Sequence, residues 1–414
     1  MKKQKILKNN LPEKIFPFLV FLLPFVFALN PADKIDLAVI RILIPALFLW
    51  WLAASLLNKN LLIDTRFRFW ALASLLFLSL ISLNWAEEKE WAVRKILFLG
   101  SVFPLYFLSF SYFRKKTGNF DRFCKFLSLS AFATALLGII QFFSQFIFSI
   151  DSVLSFHHRL TPFFLGNNFA EQVKEYNSWA VNLGGETFLR AFGTFPDPHL
   201  FAIFLNLSLP FVFYNYLKTK QKKYLAISLL IFLAVLLSFS RAGYLALFVL
   251  IGAGVFLLNI FKKSFPAFLV FLVVILISLN FFGPRLLSSF NLQEGSVSGR
   301  IEMLSKSWQV FADRPLTGAG IGNLPGEIDS QTDYRDPVYA HNLFLDFASE
   351  LGILGLFLLG LFVLAPLKKF LQAEVDLKTK IVMLAVLALL VHSMFETPFY
   401  SVRVFPLILT IISI

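Results

Sequence analysis

Polar side chains gather where an apolar stretch begins in the last quarter of the chain. Residues 284–340 are largely polar, and they lead into His341 and Asn342 at the start of a long apolar segment. An imidazole titrates near neutral pH and can act as a base, and a helix amino terminus favours the neutral ring. His341 is therefore the first candidate for acid–base chemistry. The alternative is that His341 and Asn342 only cap the helix that follows.

Three arginines lie beside apolar segments. Arg190 comes before one of them, Arg241 lies within the sequence Ser-Arg-Ala-Gly, and Arg300 follows a glycine in the polar stretch. A guanidinium close to hydrocarbon needs a polar cavity or a partner. Its planar fork can hold a phosphate or pyrophosphate through paired hydrogen bonds. We expect the three to bind such a group, unless each only anchors a helix end to lipid headgroups.

An acidic residue lies inside the apolar segment that follows His341. Glu350 needs a partner there, and an arginine is the expected one. Asp346, one helical turn earlier, is an alternative acid. A buried carboxylate in this segment therefore predicts a charged partner for it.

Metal binding is a minor alternative. His157 and His158 are adjacent, so their side chains point in different directions and make a poor chelating pair. Together with Asp197 and His199 they could still form a site. The glycine-rich run at 318–322 lacks the strand and helix of a nucleotide-binding loop and predicts a turn. We therefore expect neither a metal nor a cofactor.

Composition fixes the class of protein that holds these residues. Hydrophobic residues make up 57% of the 414 and charged residues only 15%, unlike a soluble domain. Apolar stretches long enough to cross about 30 Å of hydrocarbon recur along the chain. The sequence predicts an all-α integral membrane protein with about twelve transmembrane helices, at roughly 15–30, 38–57, 68–85, 95–113, 126–149, 199–217, 224–240, 242–261, 265–282, 342–367, 380–395 and 402–414.

The distribution of basic residues predicts the orientation. Lys and Arg in short turns stay on the cytoplasmic side. Most of the 38 basic residues fall in the amino-terminal tail or in the turns near 59–68, 114–125, 218–223, 262–263 and 368–380. We therefore predict cytoplasmic chain ends, with His341 and the three arginines outside. The net charge of +13 reflects this topology and not nucleic-acid binding, because the charges are spread over short turns.

Two extracytoplasmic segments are longer than simple turns. The first contains aromatic residues among polar ones, which is typical of a short helix at the headgroup level. The predicted organisation is helices 1–5 at 1–149, the first long loop at 150–198, helices 6–9 at 199–282, the large loop at 283–341, and helices 10–12 at 342–414.

The basic start also fits a signal peptide, but no small-x-small cleavage site follows Ala28, so an uncleaved helix is expected. Cys124 is the single cysteine and cannot form an intramolecular disulfide.

Around Arg190, Arg241, Arg300 and His341 the chain resembles the bacterial O-antigen ligase and O-antigen polymerase superfamily. This superfamily includes some protein-directed oligosaccharyltransferases. The resemblance runs from 190 to 355, and one position departs from it, because His199 stands where the family commonly has Asn after Pro. The matching elements are Arg190 to Pro198, Ser240 to Gly243, Gly299 with Arg300, Trp308, Pro315, Leu316, Gly318, Gly320, Gly322, Ala340 to Asn342, Glu350, Gly352 and Gly355.

The resemblance implies a bundle like that of the type C membrane glycosyltransferases, with an O-antigen ligase-related core at about 224–366. It implies inverting, metal-free transfer on the outer face of the bacterial cytoplasmic (inner) membrane. The donor would be an undecaprenyl-pyrophosphate-linked glycan, and the acceptor a hydroxyl of lipid A-core or of another lipid-linked glycan. The implied catalytic residues are His341, Arg241 and Arg300, and the implied substrate-binding residues are Arg190, Asn342, Glu350 and His199.

Other functions stay open at this point. A polymerase differs from a ligase only in its acceptor, and the protein-directed branch uses Ser or Thr. A secondary transporter or flippase would carry ionisable groups near the bilayer midplane, whereas here they cluster at the outer helix ends. A metal-dependent glycosyltransferase would use acids in the first external loop, where Asp33 and Asp36 lie.

Overall fold

The computed structural model describes residues 11–32, 35–175, 178–183, 185–258, 295–334, 338–371 and 375–414. The described chain is mostly helical. The predicted span at 265–282 and Asp33 lie outside the described residues. Two antiparallel hairpins interrupt the helices, β1 (Ala28–Ala32) with β2 (Ile35–Ala38), and β3 (Ala180–Leu183) with β4 (Glu186–Leu189). The hairpins lie in the segments that precede α2 and α9. The prediction of an all-α protein did not include them.

The helices agree in order with the predicted spans, with differences at their ends. The first half contains α1 (Leu11–Leu22), α2 (Ile40–Leu57), α3 (Phe67–Ile81), α4 (Lys89–Val102), α5 (Pro104–Lys115), α6 (Asn119–Ser144), α7 (Ile150–Leu165) and α8 (Asn167–Glu175). The second half contains α9 (Pro198–Thr219), α10 (Lys222–Leu237), α11 (Arg241–Leu257), α12 (Gly295–Asp313), α13 (Leu324–Ile328), α14 (Leu343–Leu364), α15 (Leu377–Ser393) and α16 (Phe405–Ser413).

Among the residues that the structure describes, six stretches are long and apolar enough to cross a membrane. This confirms a polytopic helical membrane protein, although not the count of twelve. The last predicted span, 402–414, was too long, because the nine residues of α16 cover only about 14 Å. The six stretches are Ile40–Leu57, Phe67–Asn84, Lys89–Lys115, Asn119–Ser144, Pro198–Thr219 and Leu343–Lys368.

Helix α14 is broken in its middle at Gly352. The φ of +67° and ψ of −167° there belong to a region that is open essentially to glycine alone. A loop fills the break: the backbone N–H of Ile353 donates to Pro315 O, and Ala319 and Gly320 donate to carbonyls on the other side of the break. Irregular backbone inside a membrane protein is tolerated where other parts of the protein supply such hydrogen bonds.

Ion pairs define one end of the bundle. Glu13 pairs with Lys115, Asp121 pairs with Lys218, and Asp64 pairs with Arg66 and Arg68. Arg68 also donates to the carbonyl of Ser413 at 2.8 Å. The residues predicted to be cytoplasmic therefore meet at the same end of the bundle.

Candidate active site

The site is built around one carboxylate, that of Glu396. It lies directly after α15 and is only 5% exposed. Arg300 NH2 donates to Glu396 Oε1 at 3.1 Å. On the other oxygen, His341 Nδ1 lies 3.6 Å from Oε2. Helices α12, α14 and α15 thus bring a guanidinium and an imidazole to one acid.

A second imidazole reaches the same carboxylate. His199 Nε2 lies 3.3 Å from Arg300 NH2, and its Nδ1 lies 3.9 Å from Glu396 Oε1. The same Nδ1 is 2.9 Å from Ser240 Oγ. Position 199 departs from the family pattern, yet its side chain lies within the cluster. We name Glu396, Arg300, His199 and His341 the Glu396 cluster.

Helix amino termini hold the two histidines. Asp197 caps α9 by accepting from Leu200 N at 2.8 Å, and proline at the first helical position suits that start. Asn342 caps α14 by accepting from two backbone N–H groups, and donates to Met394 O at 3.3 Å. Asn342 therefore caps the helix, and His341 next to it faces Glu396.

The backbone of His341 lies in the left-handed region, with φ +51°. Few residues other than glycine adopt this conformation, although His does so more often than most. The Tyr339 ring packs against the imidazole with centroids 4.2 Å apart. Ala340 N donates to the buried Asp346 at 2.8 Å. These contacts hold His341 in a fixed direction toward Glu396.

Charge interactions set the ionisation of the cluster. Burial by itself would raise the pKa of Glu396, but His199, His341 and Arg300 outweigh it and hold the pKa below its usual range. Burial raises the pKa of Asp197 to about 6, and the charge of Glu396 adds to this effect. The surroundings of Glu396 therefore favour its charged form.

Two of the three predicted arginines lie near the cluster in different roles. The Arg190 guanidinium is buried and donates to Ser238 O at 2.8 Å, Ser178 O at 2.9 Å and Phe239 O. It holds the turn after α10 and acts electrostatically on Asp197. Arg241 is the first residue of α11, next to Ser240, whose hydroxyl contacts His199.

Glu350 has a partner other than the expected arginine. Both of its carboxylate oxygens accept hydrogen bonds from Lys95 Nζ, at 2.6 and 2.7 Å, deep in the bundle. Lys95 lies a turn and a half inside α4, whereas the predicted span began at that residue. The sequence placed Lys95 at a membrane boundary and so gave no reason to pair it with Glu350.

Glu396 and Lys95 were not predicted from the sequence. A signal existed for Glu396, since a lone acid between two apolar segments must find a partner. The same is true of Arg403, which is 1% exposed and donates to the carbonyls of Thr194, Val26 and Phe164. Arg403 fixes the segment that leads from Thr194 to His199.

The minor metal alternative gains no geometric support. His157 packs on the Phe192 ring and His158 on the Trp179 ring, each with centroids 5.2 Å apart. Burial lowers the pKa of His157 to about 4. Across the described ranges, no group of three or more His, Cys, Asp or Glu is placed to hold a metal ion. Asp36 accepts hydrogen bonds from Asn168 and Phe169 N.

An apolar groove of about 610 Å³ lies beside the site. Its walls are formed by α6, α7 and residues 192–195. Trp179 also lines the groove and stacks on Phe192, with ring centroids 4.4 Å apart. Trp179 Nε1 donates to Pro196 O at 2.8 Å. One segment, 192–199, therefore lines the groove at its start and enters the Glu396 cluster at its end.

Fold and site together define a polytopic helical membrane protein with a charged, buried polar site at one end of its bundle. The chain carries an O-antigen ligase domain, since residues 226–360 match the family model described as O-antigen ligase. The match confirms the resemblance drawn from the motifs, and it marks a membrane protein of surface polysaccharide biosynthesis of the ligase or polymerase type. It includes Arg241, Arg300, His341 and Glu350. No curated protein matches the chain.

Proposed function

We propose that this protein is a glycosyltransferase that moves a saccharide from an undecaprenyl-pyrophosphate donor to an acceptor hydroxyl. The acceptor is lipid A-core for a ligase, or a second lipid-linked glycan for a polymerase. The observation that carries the proposal is the Glu396 cluster, in which an imidazole, a guanidinium and a carboxylate meet beside a helix start within a chain that has an O-antigen ligase domain.

His341 would act as the base. Its imidazole takes the proton of the acceptor hydroxyl as that oxygen bonds to the anomeric carbon of the donor sugar. The bond from that carbon to the pyrophosphate oxygen breaks, and its electron pair leaves with the pyrophosphate. Glu396, 3.6 Å from His341 Nδ1, orients the ring and stabilises the imidazolium that forms. The anomeric centre is inverted because attack and departure occur on opposite faces.

Positive charge would stabilise the leaving group. Arg300 is about one third exposed and so can keep its contact with Glu396 while presenting N–H groups to a pyrophosphate. Arg241 begins α11 one residue from Ser240, at the same end of the bundle. Arg190 adds its charge from a fixed position. His199, Asn342 and Glu350 support the substrate pocket in this proposal, and no metal or cofactor takes part.

The groove beside the site suits a lipid-linked substrate. Its walls are mostly apolar, and it adjoins the cluster through residues 192–199. A polyprenyl chain could lie there, at the membrane, while its pyrophosphate reaches Arg300. We place the site on the outer face of the bacterial inner membrane, with both chain ends cytoplasmic, because the basic turns gather at the opposite end of the bundle.

Transport is the alternative from another class. Lys95 and Glu350 do lie inside the bundle, which a transporter would need, but they neutralise each other through short hydrogen bonds. A coupled ionisable pair with three satisfied donors is typical of a structural contact. The Glu396 cluster, in contrast, is partly open through Arg300 and His341. The geometry therefore favours transfer over transport.

Reconstitution tests the proposal directly. Purified protein in liposomes receives an undecaprenyl-pyrophosphate glycan together with either lipid A-core or a second lipid-linked unit, with and without EDTA. Elongated lipid-linked product identifies a polymerase, and glycan joined to the core identifies a ligase. Transfer that EDTA abolishes would contradict the metal-free mechanism. No transfer to any acceptor by folded protein, with substrate counterflow across the bilayer instead, would support transport.

A further inference from the structure

A buried three-residue contact lies below the Glu396 cluster. We name it the Lys95 junction: Lys95 of α4, Glu350 of α14 and Tyr400 of the turn after α15. Lys95 Nζ donates to both Glu350 oxygens, and to the Tyr400 hydroxyl at 2.7 Å. Nζ also lies 3.9 Å from the Tyr400 ring centroid. In the proposed chemistry none of these three groups touches the reacting atoms.

The junction is fully satisfied. An ammonium has three N–H donors, and here each has an acceptor. The Lys95 side chain is 10% exposed and that of Glu350 2%, so neither is hydrated by bulk water. A buried ion pair of this kind often adds little stability compared with apolar residues of the same size, although losing one partner is strongly destabilising. Stability alone therefore gives a weak reason for placing three polar groups there.

The junction joins the two segments that carry the reacting pair. Glu350 lies in the unbroken first part of α14, whose amino terminus begins after His341 and Asn342. Tyr400 ends a 3₁₀ turn, Pro398–Tyr400, that follows Glu396, and Tyr400 N donates to Thr397 O. Lys95 thus connects the helix that follows His341 to the turn that follows Glu396. It belongs to α4, which lies outside residues 226–360.

We propose that Lys95 is a positioning residue that sets the distance between His341 and Glu396 by holding Glu350 and the Tyr400 hydroxyl together. The proposal rests on the proposed function, in which His341 is the base and Glu396 orients it. A shift of about 1 Å between two catalytic groups is enough to slow a reaction substantially. Breaking the junction should therefore reduce turnover more than it reduces substrate binding.

Three variants separate positioning from folding. The Lys95→Met/Glu350→Met double variant removes both charges and keeps side-chain volume, so it avoids an unpaired buried ion. Tyr400→Phe keeps the ring and the ion pair but removes the hydroxyl that Lys95 bonds. The matched control is Glu90→Met/Arg94→Met, which removes an exposed ion pair from the same helix. Thermal unfolding in detergent confirms that each variant is folded.

Two measurements are made on each folded variant. The first is transfer, with kcat and KM for the donor. The second does not depend on activity: diethyl pyrocarbonate labelling of His341, quantified by mass spectrometry against the peptide that carries His157 and His158. We expect a tenfold or larger fall in kcat with KM within twofold, and a severalfold faster labelling of His341, in the double variant and in Tyr400→Phe but not in the control.

The outcomes distinguish the proposals. Wild-type kcat and wild-type labelling in the folded double variant and in Tyr400→Phe would overturn the positioning role, and so would a rise in KM alone. If the wild-type protein shows no transfer to any acceptor, the proposed function fails, while faster labelling of His341 in the variants would still support the link from Lys95 to His341.

Discussion

His341 and Glu396 approach each other across two helices, with the Nδ1 of the first 3.6 Å from an oxygen of the second. His341 precedes α14 and Glu396 follows α15, so neither helix alone defines the pair. The carboxylate is buried and also holds Arg300. This contact orients the imidazole of a histidine at a helix start and places it beside a guanidinium.

Replacing either member of the pair should reduce transfer. We expect His341→Gln to lower kcat by about 10²-fold or more, because general-base catalysis contributes at least that much. Glu396→Gln should lower kcat by at least about tenfold, because the amide cannot stabilise an imidazolium. Steady-state transfer in liposomes measures both. If His341→Gln retains wild-type kcat, His341 is not the base.

Arginine geometry should matter as well as charge. Arg300→Lys and Arg241→Lys keep a positive charge but lose the planar fork, so each should reduce transfer about 10- to 100-fold. Arg314→Lys is the control, because Arg314 pairs with Glu327 at an exposed position in the same domain. Full transfer by Arg241→Lys would remove Arg241 from the proposed site.

Acid should weaken the folded protein through Glu396. The pKa of this carboxyl is held low in the folded state, whereas the unfolded chain takes up the proton near pH 4.5. The unfolded state therefore binds more protons below that pH, and the stability contributed by the charged form is present above pH 4.5 and lost as the pH falls further. The measurement is the unfolding temperature in detergent from pH 7 to pH 3.5.

The substitution Glu396→Gln tests the source of that acid sensitivity. The variant should be less stable than the wild type at pH 7 and should lose less on acidification. Glu302→Gln, which removes a largely exposed carboxylate on α12, should keep the wild-type pH profile. An unchanged profile in Glu396→Gln would mean that other carboxylates set the acid limit.

The break in α14 should not tolerate a side chain. In Gly352→Ala the added Cβ would collide with the carbonyl oxygen of Leu316, at a φ and ψ that alanine avoids. We expect a loss of about 3 kcal/mol or more, seen as a lower unfolding temperature. Gly360→Ala is the control in the same helix, because nothing lies within 4 Å of its added Cβ. It should be neutral or stabilise by about 0.5–1 kcal/mol.

Filling the groove should discriminate between donors by chain length. Leu137 of α6 lines the groove, whereas its neighbour Leu136 is exposed elsewhere on the same helix. Leu137→Trp should raise KM severalfold for a long polyprenyl donor and leave a short-chain analogue unaffected. Leu136→Trp should affect neither. If Leu137→Trp keeps the wild-type KM for the long polyprenyl donor, the lipid lies outside this groove.

The amino-acid sequence sufficed for the class of protein, and it singled out several residues that the structure brings together. Length and apolarity of the segments predict membrane helices, because the cost of burying backbone groups in lipid leaves few other structures. The predicted order of helices agrees with α2, α3, α6, α9 and α14, apart from their ends. His341 and Arg300 stand out because a polar group at an apolar boundary is costly unless it has a purpose or a partner.

Partners were decided by the tertiary structure alone. Hydropathy reads how apolar a segment is, but it does not give the rotation of a helix about its axis or its neighbours in the bundle. For that reason three contacts could not be predicted from the sequence: those of Glu350 with Lys95, of His341 with Glu396, and of His199 with Arg300. His199, Arg300 and His341 were thus visible as candidates in the chain, whereas their convergence on the carboxylate of Glu396 arises from packing helices that are distant in sequence.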